Sequence, residues 1–400
     1  MKKNLIFSII LIFLNIYVFG QGQWVSQNIG TSNYLYSVNF PSLDTGYVCD
    51  EAGQIFKTTN GGTNWNIVST ISDSPSHISF INNDTGVISG DLIMKTIDGG
   101  FSWEQIFPDS NFTFNYVKMI SADTIVAVCD DDSFNSKAFM SYNGGNSWNM
   151  IGYFPLTYFT FSGYFINSKL GYVAVMGNIY KTVNSGSTWV TDSIDENYNV
   201  YSMFFTDNDT GIAVRDNGTL LYTYNSGNSW EQINTGFTNP LYSVYFTSHD
   251  TGYAVGGNGY NSGTVIKTYD GGQTWLQAKS TTHTFNCIQF PNANTGYAAG
   301  DNGTILKYTS STGITESKGN DFTISIYPNP VNDYTTINIP DYFNKNEMVL
   351  ELSDINGNLI KGYTINKNTI KLNVSNLPSG IYTIKVKNKD KFAIKKIVKI

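Results

Sequence analysis

The stretch "KTTNGGTNW" at Lys57–Trp65 decides the fold. It has the form Ser/Thr-x-Asn/Asp-x-Gly-x-x-Trp, and it returns five more times. The copies carry Asn60 and Trp65, Asp98 and Trp103, Asn143 and Trp148, Asn184 and Trp189, Asn225 and Trp230, and Asp270 and Trp275. A seventh tryptophan, Trp24 in "GQWVSQNIG", has no box before it. Successive tryptophans lie 38 to 45 residues apart. That is the period of a four-stranded propeller blade rather than of an ankyrin or leucine-rich unit.

A second mark precedes each box. It reads "DTGYVCD" from Asp44, "DTGVISG" from Asp84, "DTIVAVC" from Asp123 and "KLGYVAV" from Lys169. It recurs as "DTGIAVR" from Asp209, "DTGYAVG" from Asp250 and "NTGYAAG" from Asn294. An aromatic and β-branched run such as "YSVNF", "YSMFF" or "YSVYF" stands before several copies, as a strand would. One unit therefore reads first strand, Asp-Thr-Gly turn, second strand, loop, third strand, box turn, and an outer strand beginning at Trp. The box Asn or Asp accepts backbone N–H bonds and pre-forms the turn. Its Gly supplies a positive φ. Trp packs between neighbouring sheets.

The seventh unit, "FNCIQF", "GYAAG" and "GTILKYT", ends without a box or a Trp. Its missing outer strand is the opening "QWVSQNIG", which resembles "SWEQINTG" at Ser229–Gly236. Trp24 is then the ring-closing residue, and first and last strands share one sheet. The expectation is an all-β chain: a seven-bladed β-propeller over 21–312 closed by its N-terminal strand, followed by a small C-terminal β-sandwich.

Composition agrees. Aromatic residues make up 15% and charged residues 14% of the chain, and no long segment shows a clean 3.6-residue apolar period. The start, "MKKNLIFSIILIFLNIYVFG", joins Lys2 and Lys3 to an apolar run and the small-residue pair Val18-x-Gly20. It reads as a signal peptide over 1–20, after whose removal no transmembrane segment is expected. The net charge of −7 conceals an asymmetry. Residues 21–320 are acidic, whereas 321–400 are basic. An acidic body argues against nucleic acid, since phosphate contacts need clustered Lys and Arg. Cys49, Cys129 and Cys287 lack metal-ligand spacing. They read as buried small hydrophobes, the first two in corresponding strand positions.

These boxes resemble the BNR/Asp-box propellers, especially the group similar to the photosystem II assembly factor. That resemblance implies the fold and leaves function open, because sialidases, xyloglucanases, sorting receptors and assembly factors share the box. After a polar linker over 313–322 come Tyr327-Pro328-Asn329-Pro330, the Asp354–Gly357 turn, "LPSGIY" at Leu377–Tyr382 and the terminal Lys395–Ile400. Over 323–400 this looks like a type A C-terminal sorting domain of the type IX secretion system. The resemblance implies that machinery as a partner, export across the outer membrane of a Gram-negative cell, removal of the tail, and surface anchoring or release.

Known chemistries fit poorly. A sialidase holds its substrate carboxylate with several arginines, and this chain has one, Arg215. His77, His249 and His283 lack ligand spacing. Asp130-Asp131-Asp132 suits a solvated turn better than a Ca²⁺ site. The glycine-rich "GGNGYNSG" from Gly256 opens no helix and is no phosphate loop. No metal and no cofactor are expected. The remaining candidate surface is the face of unequal loops opposite the boxes, with Tyr153, Phe154, Tyr158, Phe159 and Tyr260 as ligand-binding rings. The function expected is a secreted or cell-surface, non-enzymatic binding module for glycan or protein. The alternative is an Asp-box-type glycoside hydrolase or lyase, which needs two carboxylates across a cleft. An assembly factor for a membrane complex is a third reading, which shares the propeller but not the sorting tail.

Overall fold

The computed structural model describes residues 22–109, 111–155, 160–192, 194, 198–259, 262–310, 324–340, 348–354, 359–365, 367–388 and 391–400. The leader expected over 1–20 and the linker expected over 313–322 lie outside them. The described residues hold strands and no helix. One compact unit spans Gln23–Thr309, and a second contains the C-terminal strands.

The first unit contains seven four-stranded antiparallel sheets among the described residues. Their inner strands are Leu35–Asn39, His77–Phe80, Phe112–Met119, Thr160–Phe165, Val200–Phe205, Leu241–Phe246 and Phe285–Asn292. Each inner strand touches the next, and the last touches the first, so the inner strands form a closed circle. Six sheets use four consecutive strands. The seventh runs Phe285–Asn292, Thr295–Gly300, Ile305–Thr309 and then Gln23–Gln27. Trp24 pairs with Tyr308 there and packs its ring against Tyr253, Phe290 and Tyr308. The boxless tryptophan is the outer strand of the last sheet.

Side chains bond the inner strands to one another. Ser37 Oγ accepts the Ile78 N–H at 3.2 Å, and Ser79 Oγ accepts the Met119 N–H at 3.2 Å. Ser202 does the same for Val244, and Ser243 for Ile288. Gln289 Oε1 closes the circle on the Phe40 N–H at 2.6 Å. Backbone groups that would otherwise sit unpaired at a buried edge are thus satisfied.

The box turns share one hydrogen-bond pattern. The buried Thr58 hydroxyl accepts the Gly62 N–H at 2.9 Å and donates to Asn60 Oδ1 at 3.0 Å. Asn60 Oδ1 also accepts the Asn64 N–H at 2.9 Å. Gly62 takes φ +79°. The set repeats around Asp98, Asn143, Asn184, Asn225 and Asp270.

The glycine of the Asp-Thr-Gly mark has a different role from the expected turn. Gly46 begins the second strand, and a Cβ there would lie 2.3 Å from the Phe40 ring. Gly86, Gly171, Gly211, Gly252 and Gly296 meet Phe80, Phe165, Phe205, Phe246 and Phe290 in the same way. That phenylalanine then packs on the preceding sheet, stacked on its tyrosine in four cases, as Phe80 is on Tyr47 at 3.6 Å, and beside Val126 and Ile212 in the cases of Phe165 and Phe246. The Trp of its own box meets it edge-on, as Trp103 meets Phe80.

Cys49 and Cys129 are buried, Cys287 is partly buried, and all three are free. Strand register corrects one expectation. Cys49 pairs with Ser37, past the inner-strand bulge, whereas Cys129 pairs with Phe114, before it. The two cysteines are therefore one position apart in their sheets, and Cys129 matches Asp50.

The C-terminal unit has a three-stranded sheet, Ser325–Tyr327, Tyr334–Asn338 and Thr369–Asn373. Its four-stranded sheet runs Leu359–Ile365, Met348–Ser353, Gly380–Asn388 and Lys391–Lys399. The two share one core, including Ile337, Leu372, Leu350 and Ile384. Separate motifs converge in it. Asn329 holds the terminal strand through Lys396 O and the Val398 N–H, and the Tyr382 hydroxyl donates to Pro378 O at 2.8 Å.

Candidate functional site

The first unit has two unlike faces. One carries the box turns. On the other, the loop between second and third strands packs against the approach to the next inner strand: Ile71 donates its N–H to Gly53 O. On this loop face the register breaks in the same way in six of the seven sheets. A single residue bulges between Leu35 and Ser37, Phe114 and Tyr116, Thr160 and Ser162, Val200 and Ser202, Leu241 and Ser243, and Phe285 and Cys287. A bulge adds an unpaired residue and re-aims its side chain. The residues so placed on the inner rim are Tyr36, Asn115, Phe161, Tyr201, Tyr242 and Asn286, and the side chain of Phe161 is outside those described.

Carboxylates end the second strands or open the next loop beside them. Asp50 Oδ2 accepts Asn33 Nδ2 at 2.8 Å, and its Oδ1 accepts the Ala52 and Gln54 N–H groups. Asn115 Nδ2 donates to Asp130 at 2.9 Å. Asn286 Nδ2 donates both to Leu35 O at 3.0 Å and to Asp301 at 3.2 Å, joining the seventh sheet to the first. Asp216 Oδ2 accepts the Asn199 N–H at 3.1 Å, while its Oδ1 is buried without a hydrogen-bond partner. Tyr201 and Tyr242 meet edge to face at 4.9 Å.

The electrostatics tie these groups together. Burial raises the pKa of all three rim tyrosines. Charge adds to it: Glu51 and Asp301 act on Tyr36, Asp216 acts on Tyr201, and Asp301 and Asp216 act on Tyr242. Asp301 itself is raised by burial and by Glu51, against the lowering bonds from Asn286 and Thr284 and the charge of His283. The rim is an aromatic surface edged by carboxylates.

The predicted ring residues fare unevenly. Tyr153 is 52% exposed, at the end of the outer strand of the third sheet, away from the rim. Phe154 corrects the expectation, being 3% exposed in the core against Tyr180 and Trp189. Side chains alternate along a strand, so the neighbour of an exposed Tyr153 points inward. Tyr158, Phe159 and Tyr260 lie outside the described residues. Asp131 is engaged by Lys137 at 2.8 Å and by its own loop. Desolvation raises its carboxyl, but those bonds win and hold it at about 2. Among the described residues no three His, Cys, Asp or Glu side chains stand where they would hold a metal. Arg215 is fully buried, donating to Tyr198 O at 3.1 Å beneath the Tyr198 ring.

Sequence reading missed Tyr36, Tyr201 and Tyr242, which it took as ordinary strand residues. The available signal was the repeated Tyr-Ser pair that opens an inner strand. Buried Leu35, Ser37 and Val38 around Tyr36 break the alternation that a regular strand keeps.

Residues 18–309 match the family described as photosynthesis system II assembly factor YCF48, and residues 325–400 match the secretion system C-terminal sorting domain. No curated protein matches the sequence. Among solved structures, YCF48 bound to D1 peptide aligns with TM-score 0.59 and 20% identity over 72% of this chain and 97% of that one. YCF48 from Cyanidioschyzon merolae aligns with TM-score 0.59 and 17% identity, over 72% and 98%. The WD40 β-propeller domain of Doa1 aligns with TM-score 0.60 and 10% identity, over 74% and 98%. These likenesses establish a β-propeller. Among the described residues no helix is long and apolar enough to cross a membrane.

Proposed function

Because the chain belongs to the YCF48 family of propellers and ends in a secretion-system sorting domain, we propose that it is an exported, non-enzymatic binding module whose ligand docks on the inner rim of the loop face. In this reading the seven sheets are seven blades, and the C-terminal unit is a sandwich that the type IX machinery recognises at the outer membrane. The tail is then removed, and the propeller is left at the cell surface or released. The single observation carrying the binding role is the shared bulge, which aims Tyr36, Tyr201 and Tyr242 at one rim. The second sheet joins the circle without such a bulge, and bulges gather next to functional sites as well as at sheet edges and barrel rims. Amphipathic rings suit a glycan or a protein. The relative solved with a D1 peptide indicates that a propeller of this family takes polypeptide. The hydrolase or lyase reading is not favoured by the two family matches.

The test is a glycan array and a surface pull-down with the mature protein, repeated with Tyr201→Ala/Tyr242→Ala. A ligand captured by the parent should bind the double variant at least tenfold more weakly. A ligand held equally by both moves the site elsewhere.

A further inference from the structure

We propose that the propeller carries a second binding site, away from the rim, which takes a neutral sugar between the outer strand of the second sheet and the box turn of the third. The inference is independent of the rim.

A cavity of about 510 Å³ opens there, and Lys95, Ile97, Trp103, Glu104, Gln105 and Asn146 help to line it. Small-molecule sites occupy about 300–1,000 Å³. The outer strand beside it is two residues long, Glu104–Gln105. The chain then turns inward to bury Phe107.

The lining has two kinds of surface. Lys95 gives one N–H to Gly144 O at 2.8 Å and has two more to offer. Gln105 Nε2 donates to Phe107 O and Asn146 Nδ2 to Asn143 O, each at 2.8 Å. Both amide oxygens are left as acceptors, with the exposed Glu104 carboxylate on the same cavity. The Trp103 N–H is already taken by Ser69 Oγ and Gly100 O, each at 3.1 Å. What the indole can give a ligand is ring surface, and Ile97, 74% exposed, adds aliphatic surface. A sugar matches both. Its hydroxyls donate and accept, as amides and an ammonium–carboxylate pair require, and its C–H face gains by leaving water against apolar atoms. An anionic ligand would meet Glu104, and a cationic one Lys95.

The same groove differs at other sheet junctions. Between the first and second sheets its positions hold Lys57, Asn66, Ile67 and Phe101. The Lys57 ammonium there lies over the Phe101 ring at 5.2 Å. Between the fifth and sixth, Glu231 and Gln232 recur, but Tyr222 replaces the lysine. Gln273 in that groove donates to the Tyr224 hydroxyl at 2.7 Å. Lysine, carboxylate, open amides and bare apolar surface meet between the second and third sheets.

The experiment is a calorimetric titration of the full-length protein with cellotetraose, mannotetraose, chitotetraose, tetragalacturonic acid and tetra-alanine. At least one of the three neutral oligosaccharides should bind, with affinity unmoved by salt. Glu104→Ala/Asn146→Ala should weaken it at least tenfold. Both side chains are exposed, and melting curves should match the parent. Glu104→Gln, which keeps an acceptor and removes the charge, should lose no more than threefold. Glu231→Ala, an acid at the matching position of the fifth sheet, should change nothing, and neither should Tyr201→Ala/Tyr242→Ala. Failure of all three neutral sugars overturns the proposal, as does unweakened binding by Glu104→Ala/Asn146→Ala. Binding of tetra-alanine or of the acid in place of a neutral sugar overturns the ligand class. A sugar lost with Tyr201→Ala/Tyr242→Ala but kept by Glu104→Ala/Asn146→Ala belongs to the rim, and the second site then falls while the rim stands.

Discussion

A phenylalanine ring resting on a glycine Cα is the smallest unit of this fold. Phe165 lies so close to Gly171 that a Cβ would sit 2.2 Å from it, and the two are directly paired across strands. The third sheet departs from the rule and shows its cause. Ile125 replaces the glycine there, and Met119, opposite it, replaces the ring. An unbranched thioether leaves room that a rigid ring does not. Gly171→Ala should therefore cost about 1–3 kcal/mol by overpacking, seen as a lower denaturant midpoint at unchanged slope. Adding Phe165→Met should recover part of that loss. A double variant that is less stable than Gly171→Ala alone would show that the ring contact is not what demands glycine. The same register explains what sequence could not locate. Which neighbour in Tyr153-Phe154 faces water depends on strand pairing, and one residue of slip exchanges them.

At the scale of the element, the box turn is local chemistry, and so it was readable. Its hydroxyl, carboxamide or carboxylate, glycine and tryptophan sit within eight residues of one another. The inner-strand bulge was not readable, because it is a relation between two strands, and the rim it builds draws on all but the second sheet. Asn143 Oδ1 accepts the Ser141 hydroxyl at 3.0 Å and the Ser147 N–H at 2.9 Å, and Nδ2 donates to Ser147 Oγ. Asn143→Ala should cost about 1–3 kcal/mol in a melt and leave rim binding per folded molecule unchanged. Third strands add a second link between sheets. Lys57, Lys95 and Lys307 each donate to a glycine carbonyl in the box of the next sheet, and Lys181 donates to Asn228. Lys267 points toward the seventh sheet, which has no box. Its ammonium meets the Tyr253, Tyr269 and Tyr308 rings at 4.9, 4.4 and 5.7 Å. Burial without such a carbonyl brings its pKa down to about 8. The unfolded lysine titrates near 10.4, so between these values the unfolded chain binds more protons. Stability from this group is lowest below pH 8 and rises toward pH 10. Lys267→Met should flatten that rise in melts taken from pH 7 to 10, and an unchanged slope would place the shift elsewhere.

For the whole molecule, circularity is the organising constraint. The repeat period and the boxless Trp24 disclosed it in the sequence, because a missing outer strand and an unmatched one are both visible there. The inner-strand bonds that complete it were not, since Gln289 and Phe40 are 249 residues apart. The sorting domain has its own core, so truncation after Gly319 should leave propeller melting intact while the protein stays in the periplasm. Surface delivery of that truncation would remove the export role from the tail. Closure itself rests on Gln23–Gln27. Trp24 is 7% exposed among Tyr253, Phe290 and Tyr308, and large-to-small changes of buried aromatics cost about 3–5 kcal/mol. Trp24→Ala should fall in that range, because the strand still pairs with Ile305–Thr309 and only the packing is lost. Deleting Gln23–Gln27 should do more. It bares the edge of Ile305–Thr309 and the aromatic cluster beneath it, and an open edge recruits other chains. The deletion should therefore lower the melting temperature further than Trp24→Ala and also form oligomers on a sizing column, which Trp24→Ala should not. A monomeric deletion that melts with the parent would mean that the inner circle holds without its outer strand, and that Trp24 does not close the ring.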